Sequence, residues 1–196
     1  MLDTIRKELA RREPSLVEIL VRHMDSSSLK VQSGATHALR NLARDGECLP
    51  HPGISCSSPT TENYQLEIVK SNGLNPLLRL LQLPDPDSIF AVVSCVFNLT
   101  FQRTNDSPII EAGFLQPLVA LLAFKDNEKT QLCAIRALCK LAMRRGMNGG
   151  AVVDAGVVQS IKELVLETPV KIQIEMTHCI ENLSRSGMPL PFNRCL

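Results

Sequence analysis

A helical pattern that recurs about every 42 residues constrains this 196-residue chain more than any other feature. Leu99, Leu141 and Leu183 stand 42 residues apart, each inside an apolar segment with spacings of three and four. Leu42 has the matching place in a fourth such segment, residues 30–43. Such spacings put apolar side chains on one face of a helix. Because no segment could bury its apolar face alone, the repeat predicts stacked units in one continuous solenoid.

Each unit is predicted to contain three helices. The clearest unit, residues 107–143, holds a short first helix that stops at Gly113, an apolar second helix and a longer third helix. A polar turn at Lys125–Asn127 separates the second helix from the third. Gly73 and Gly156 occupy the place of Gly113 in the neighbouring units, and glycine readily takes the left-handed conformation that ends a helix. The predicted fold class is therefore all-α.

The repeat divides the chain into four predicted units, of which the first and last are imperfect. They run over residues 1–44, 62–103, 105–145 and 147–186. Residues 187–196 follow without another unit and are predicted to be an irregular tail. Solenoids need terminal repeats with a polar outer face, and neither end has one. We therefore expect a segment of a longer array or a short paralogue.

Residues 46–61 interrupt the period. Leu42 and Leu99 are 57 residues apart, and the excess over one period is close to the length of this segment. The segment is rich in Pro, Ser and Thr without a helical period, so we expect a disordered surface loop. A regulatory insertion, a tolerated insertion and a retained intron all remain open. Its two cysteines and one histidine lack a fourth ligand at zinc-site spacing, so no metal site is predicted.

Composition and motifs argue against several functions. The net charge is +1, and no basic run with interleaved aromatics is present, which disfavours nucleic-acid binding. The G-x-S-x-G, P-loop, H-E-x-x-H and dinucleotide-binding motifs are absent, so we predict no enzyme activity, no cofactor and no small-molecule substrate. The sequence shows no signal peptide or membrane span. Four cysteines at helical positions are predicted to be small core hydrophobes: Cys95, Cys133, Cys139 and Cys179.

Two resemblances follow from these motifs. The three-helix period resembles the armadillo-repeat family over nearly the whole chain. More narrowly, residues 24–128 resemble a fungal family of armadillo-repeat adaptors of the vacuole membrane, through MDSSSLKVQ, ALRNLA, ENYQLEIVKSNGLNPLLRLLQ and NDSPIIEAGFLQPLVALL. The first resemblance implies a right-handed superhelix whose third helices line a concave groove. The second implies a non-enzymatic scaffold that tethers protein partners for vacuole inheritance, nucleus–vacuole contact and selective autophagy.

The candidate groove residues follow from the repeat phase. Asparagine recurs at one phase of three third helices, with lysine in the remaining one, and polar residues stand one turn earlier on the same face. The candidate peptide-binding residues are Asn41, Asn98, Asn182 and Lys140, with His37, Ser94, Arg136 and His178 one turn before them. An asparagine amide can donate to and accept from the backbone of an extended peptide. The alternative is that asparagine only solvates the helix surface, and for the two histidines we favour exposed polar groups without a special role.

Other ligands for the groove remain open. A transport receptor of the importin-α type would pair each groove asparagine with a tryptophan one turn earlier, and this chain has no Trp. Arg136, Lys140 and Arg144 on adjoining turns indicate a β-catenin-like groove for acidic ligands as a milder alternative. A truncated, inactive paralogue is a third alternative.

The start of the chain bears on membrane attachment. The vacuolar family is held on its membrane by N-terminal myristoylation and palmitoylated cysteines. This chain begins Met1-Leu2-Asp3, without the glycine that myristoylation needs, and no cysteine precedes Cys48. We therefore expect membrane association to be indirect or lost. The expected location is cytoplasmic, whereas the location of the family is the vacuolar membrane.

Overall fold

The computed structural model describes residues 15–44, 64–125, 127–143 and 147–185. All regular elements within these ranges are helices, so the predicted all-α class is confirmed. The α-helices are α1 (Leu16–His23), α2 (Leu29–Arg44), α3 (Tyr64–Lys70), α4 (Leu74–Leu80), α5 (Pro86–Leu99), α6 (Asp106–Glu111), α7 (Leu115–Ala120), α8 (Glu128–Ala142), α9 (Met147–Asp154), α10 (Val157–Leu164) and α11 (Val170–Arg185). Short 3₁₀-helices cover Arg103–Asn105 and Leu121–Ala123.

Two parts of the predicted organisation cannot be compared with the structure. The predicted insertion, residues 46–61, and the predicted tail, residues 187–196, lie outside the described residues. The limits of the four units therefore stay predictions. The three helices expected in the clearest unit are present as α6, α7 and α8.

Side-chain caps and proline define where two of the long helices begin. The Asp85 carboxylate accepts a hydrogen bond from the Ser88 backbone N–H at 2.9 Å, and Pro86 occupies the first turn of α5. The hydrogen bonds with Ser88 hold the pKa of Asp85 below its usual value. Asn127 caps α8 in the same way, accepting from the Thr130 N–H at 3.0 Å. Each cap satisfies a backbone donor that a helix start leaves unpaired.

Backbone conformation requires glycine at two of the turn positions, and lack of space requires it at the third. Gly113 and Gly156 follow α6 and α9 in the left-handed conformation, with φ of 89° and 87°. Gly73 differs from this prediction, because its φ is −65° and Asn72 before it takes the positive φ of 59°. At position 73 the reason is space, since a Cβ there would lie 2.8 Å from the backbone oxygen of Ile68.

The long helices α2, α5, α8 and α11, which we call the third helices, pack side by side in chain order, and shorter helices pack against them. Leu99, Leu141 and Leu183 are fully buried. Leu42, at the same phase of α2, is only half-buried, and Leu39 is fully buried one turn before it. The recurring leucine therefore forms the centre of the core in α5, α8 and α11.

In the part of the chain that the structure describes, no single helix combines the length and apolarity needed to cross a membrane. One bent pair, Arg103–Glu111 with Leu115–Ala123, meets the test by length and composition only.

Buried side-chain amides connect the end of α2 with α3. The Gln65 side-chain nitrogen donates to the carbonyl oxygen of Ala43 at 2.8 Å, and Gln65 is buried. The Asn105 side chain donates in turn to the carbonyl oxygens of Gln65 and Leu99, at 3.0 and 3.1 Å. Buried carbonyl groups need such partners. The chain therefore leaves α2 and enters α3 at adjacent points.

Deleting residues 46–61 should leave the helical content and the melting temperature nearly unchanged. Because Gln65 holds the end of α2 against α3, the connection closes a loop whose ends are adjacent, and loop-closure entropy grows only slowly with length. Circular dichroism and thermal denaturation measure both quantities. Gln65→Ala is the contrasting variant, since it leaves the Ala43 carbonyl unpaired at a cost of about 1–3 kcal/mol. A drop of many degrees on deletion would show that the segment packs against the solenoid.

Candidate peptide-binding groove

Two adjoining clefts lie on the face formed by the third helices. The first has a volume of about 860 Å³, and its lining residues come from α2 and from the starts of α5, α8 and α11: His37, Arg40, Asp87, Phe90, Asn127, Glu128, Lys129, Leu132 and Lys171. The second, about 240 Å³, lies further along α5, α8 and α11 and is lined by Phe97, Arg136, Cys139, Lys140, Met143 and Glu175. We call the two clefts together the groove. It crosses successive third helices, where the armadillo resemblance implies ligand binding.

Two of the candidate residues lie beneath the groove rather than in its wall. Asn98 is only 6% exposed, and its side-chain nitrogen donates to the backbone oxygen of Arg40 on α2 at 3.1 Å. Ser94 is 8% exposed, with its Oγ 3.5 Å from the Cys133 sulfur on α8. The repeat phase predicted exposed polar groups at both positions. The structure differs because both side chains have partners inside the solenoid, so their burial leaves no polar group unsatisfied.

In α5, α8 and α11, the side chain at the recurring position lies against the preceding third helix or the residues just after it. Asn98 does so through the Arg40 carbonyl. The Lys140 ammonium lies 4.1 Å from the centre of the Phe101 ring, next to the end of α5. The side-chain nitrogen of Asn182 on α11 is 3.1 Å from the Cys139 sulfur on α8. This position therefore connects neighbouring third helices, which is a structural role that the sequence did not predict.

The other candidates are more exposed. Asn41 is exposed, and its side-chain oxygen accepts a hydrogen bond from the Arg40 guanidinium at 3.3 Å. The Arg136 Nε donates to the Glu175 carboxylate at 2.7 Å. His178 is exposed, with its Nδ1 3.9 Å from the other oxygen of Glu175. The candidates that line a cleft are His37, Arg136 and Lys140.

A row of half-buried phenylalanines on the groove side of α5 was not predicted. Phe90 lines the first cleft and Phe97 the second. Phe101 lies edge-to-face against Phe97, with ring centroids 5.2 Å apart, and the Arg40 guanidinium carbon is 5.8 Å from the centre of the Phe90 ring. Phe90 and Phe97 stand seven residues apart on α5, a spacing that puts them on one helix face and is the signal that could have revealed them. Phe101 lies just beyond the end of α5. We call these three residues the aromatic strip.

The groove is more positive than the chain as a whole. Its lining residues include five cationic and three acidic side chains, which gives a net charge of +2 with His37 neutral, compared with +1 for the whole chain. The carboxylate of Glu175 is already paired with Arg136. Because the lining carries both signs of charge, this small positive excess favours negatively charged segments only weakly.

Burial raises the pKa of the cysteines near the groove. The four that the structure describes are free, and burial raises the pKa of Cys95 to about 12. Burial also raises the pKa of Cys133, Cys139 and Cys179. Because the thiolate is the nucleophile and the metal ligand, thiols with a raised pKa are poor at both roles. Within the described ranges, no three His, Cys, Asp or Glu side chains are grouped to hold a metal ion.

The order of the helices and the groove across them define an armadillo-repeat solenoid. A designed armadillo repeat protein in complex with the peptide (KR)4 superposes with a TM-score of 0.70, over 87% of this chain and 70% of that chain, at 21% identity. At this identity the likeness shows the fold alone. The chain therefore has the armadillo-repeat fold, as the period predicted. No family model matches the sequence.

Among armadillo-repeat proteins, the sequence is similar to vacuolar protein 8 of fungi. Vacuolar protein 8 of Schizosaccharomyces pombe is 44% identical over 181 residues, which cover 92% of this chain and 30% of the relative. Vacuolar protein 8 of Candida albicans is 41% identical over 177 residues, 90% of this chain and 28% of the relative. The resemblance to this fungal family is confirmed. The chain spans less than a third of the length of these relatives.

Proposed function

We propose that this chain is a non-enzymatic adaptor that binds segments of partner proteins in the groove. The observation that carries the proposal is the pair of adjoining clefts across successive third helices, with charged and aromatic side chains on one face. Stacked repeats create extended concave surfaces that suit extended or helical segments of other proteins. Asn41, Asn182 and His178 extend the same face beyond the clefts and are candidates for contacts with the ligand backbone.

We further propose that the adaptor acts at the fungal vacuole. The support is the similarity to vacuolar protein 8 over nine tenths of the chain. The proposed roles are vacuole inheritance, nucleus–vacuole contact and autophagy. In this proposal the chain is cytoplasmic and reaches the vacuole by binding protein partners in its groove. Its association with the membrane is therefore indirect.

Binding to isolated fungal vacuoles tests both proposals. The purified chain should sediment with intact vacuoles, should fail to sediment after the vacuole surface is stripped with protease, and should not float with protein-free vesicles of extracted vacuolar lipids. Arg40→Glu with Lys171→Glu reverses two charges of the first cleft and should weaken binding to intact vacuoles about tenfold.

A matched double variant controls for the change in total charge. Lys70→Glu with Lys162→Glu makes the same change at exposed positions of α3 and α10, outside the groove, and should bind vacuoles like the unaltered chain. Binding to protein-free vesicles would contradict indirect association. Absence of binding to intact vacuoles would contradict the vacuolar role and favour an inactive paralogue.

A transport receptor that binds basic cargo signals is the alternative function. One observation favours it: the designed armadillo repeat protein of the same fold is in complex with the basic peptide (KR)4. The net positive charge of the groove opposes it here, because like charges repel across an interface. Titration of the chain with (KR)4 distinguishes the adaptor from the transport receptor, and tight binding would favour the transport receptor.

A further inference from the structure

The second cleft has apolar walls on two sides. The Phe97 ring forms one wall, and the Met143 side chain, 53% exposed, forms another. Cys139, which also lines this cleft, is half-buried, and burial raises the pKa of its thiol. Methionine adapts its shape to an incoming group, and the side chains that dominate interface energies fill well-packed pockets. The cleft of about 240 Å³ therefore has the chemistry to hold one large apolar side chain.

The rim of this cleft carries a lysine whose ammonium group contacts an aromatic ring. The Lys140 ammonium lies over the Phe101 ring, and no carboxylate within the described ranges forms a salt bridge with it. Arg136 on the same rim is paired with Glu175. A lysine has three N–H donors, so contact with an aromatic face leaves donors for a ligand carboxylate.

In the first cleft, too, a cation lies over a phenylalanine ring, and this cation comes from α2. Arg40 lies over the Phe90 ring, and Lys129 and Lys171 line the same cleft together with the carboxylates of Asp87 and Glu128, which leaves one cation in excess. Within the described residues these three cations also form no salt bridge with a carboxylate. Along the aromatic strip, Arg40 therefore lies over the Phe90 ring at one end and Lys140 lies over the Phe101 ring at the other. The second cleft lies beside Phe97, the middle residue of the strip.

We infer that the ligand of the groove is an acidic segment with a large apolar side chain, which enters the second cleft while neighbouring carboxylates contact Lys140 and the cations of the first cleft. This inference rests on the proposed function, because it names the chemistry of the partner that the groove binds. It excludes basic segments, which would place cations beside Lys140 and Arg40. It also assigns Phe97 and Met143, which the repeat phase did not select, to partner recognition.

Fluorescence anisotropy with three synthetic peptides tests the inference at physiological ionic strength. The probes are (EL)4, which has both features, (ES)4, which lacks the apolar side chains, and (KR)4. We expect (EL)4 to bind more tightly than (ES)4, and (KR)4 to bind more weakly than either. Lys140→Glu should weaken (EL)4 binding about fivefold or more, while Lys162→Glu outside the groove should change it less than twofold.

Met143→Ser provides a second variant, because an exposed side chain can be replaced without disturbing the core. It should weaken (EL)4 and leave (ES)4 unchanged, with the same melting temperature as the unaltered chain. Preference for (KR)4, or equal effects of Lys140→Glu and Lys162→Glu, would overturn the inference and leave a peptide-binding function intact. Failure of all three peptides to bind would overturn the inference together with the proposed function.

Discussion

Leu141→Ala should lower the free energy of unfolding by about 2–5 kcal/mol. Leu141 is fully buried in α8, which packs between α5 and α11. Its removal leaves a cavity that close-packed neighbours fill only in part. Because each repeat of a solenoid contacts only its neighbours, a defect in α8 weakens the contacts on both sides. Urea denaturation followed by circular dichroism measures the change.

Leu166→Ala is the matched control for this substitution. Leu166 is 90% exposed, and surface substitutions usually change stability by about 0.5 kcal/mol or less. If Leu141→Ala cost no more than Leu166→Ala, then α8 would not pack between its neighbours as described, and the stacked core would be wrong.

Asn98→Ala should destabilise the chain by about 0.5–1.5 kcal/mol, because it removes the hydrogen bond that joins α5 to α2. The Arg40 carbonyl keeps its helical partner within α2. The equivalent substitution Asn41→Ala should leave the melting temperature unchanged, since Asn41 is exposed and its side chain, among the described residues, bonds to the neighbouring Arg40. The pair is well matched, because the same residue type stands at the same repeat phase in both helices. Thermal and urea denaturation of both variants make the comparison.

The repeat phase predicted that Asn98 would be a surface ligand-binding group with little part in stability. A stable Asn98→Ala variant with weakened partner binding would restore that prediction. A destabilised variant would establish that the asparagine holds α5 against α2, and would leave Asn41 as the surface amide at this phase.

The sequence predicted the solenoid well because its signal is local and repeated. Spacings of three and four residues define which face of each helix is apolar, and the period of 42 aligns those faces. Leu99, Leu141 and Leu183 are buried accordingly. Gly73 shows the limit of this reasoning: the glycine recurs, but Asn72 takes the left-handed conformation, and the spacing of residues cannot show that Ile68 crowds position 73.

The groove was harder to predict because its residues depend on neighbouring helices. Asn98 bonds to a carbonyl 58 residues earlier, and the phase of one helix does not show how close the next helix lies. The repeat phase selected only polar residues for the groove, so it did not select Phe90 and Phe97, although both line clefts. Polar type alone therefore placed Asn98 at the surface, whereas its side chain is buried.

Selection from a library of random peptides on the immobilised chain tests the central claim most directly, since that claim is that the groove of the third helices binds partner segments. The selected peptides should bind the unaltered chain and the Lys70→Glu with Lys162→Glu control, and should lose about tenfold in affinity for Arg40→Glu with Lys171→Glu. Equal affinity for the two double variants, or selection of no peptide at all, would contradict the claim.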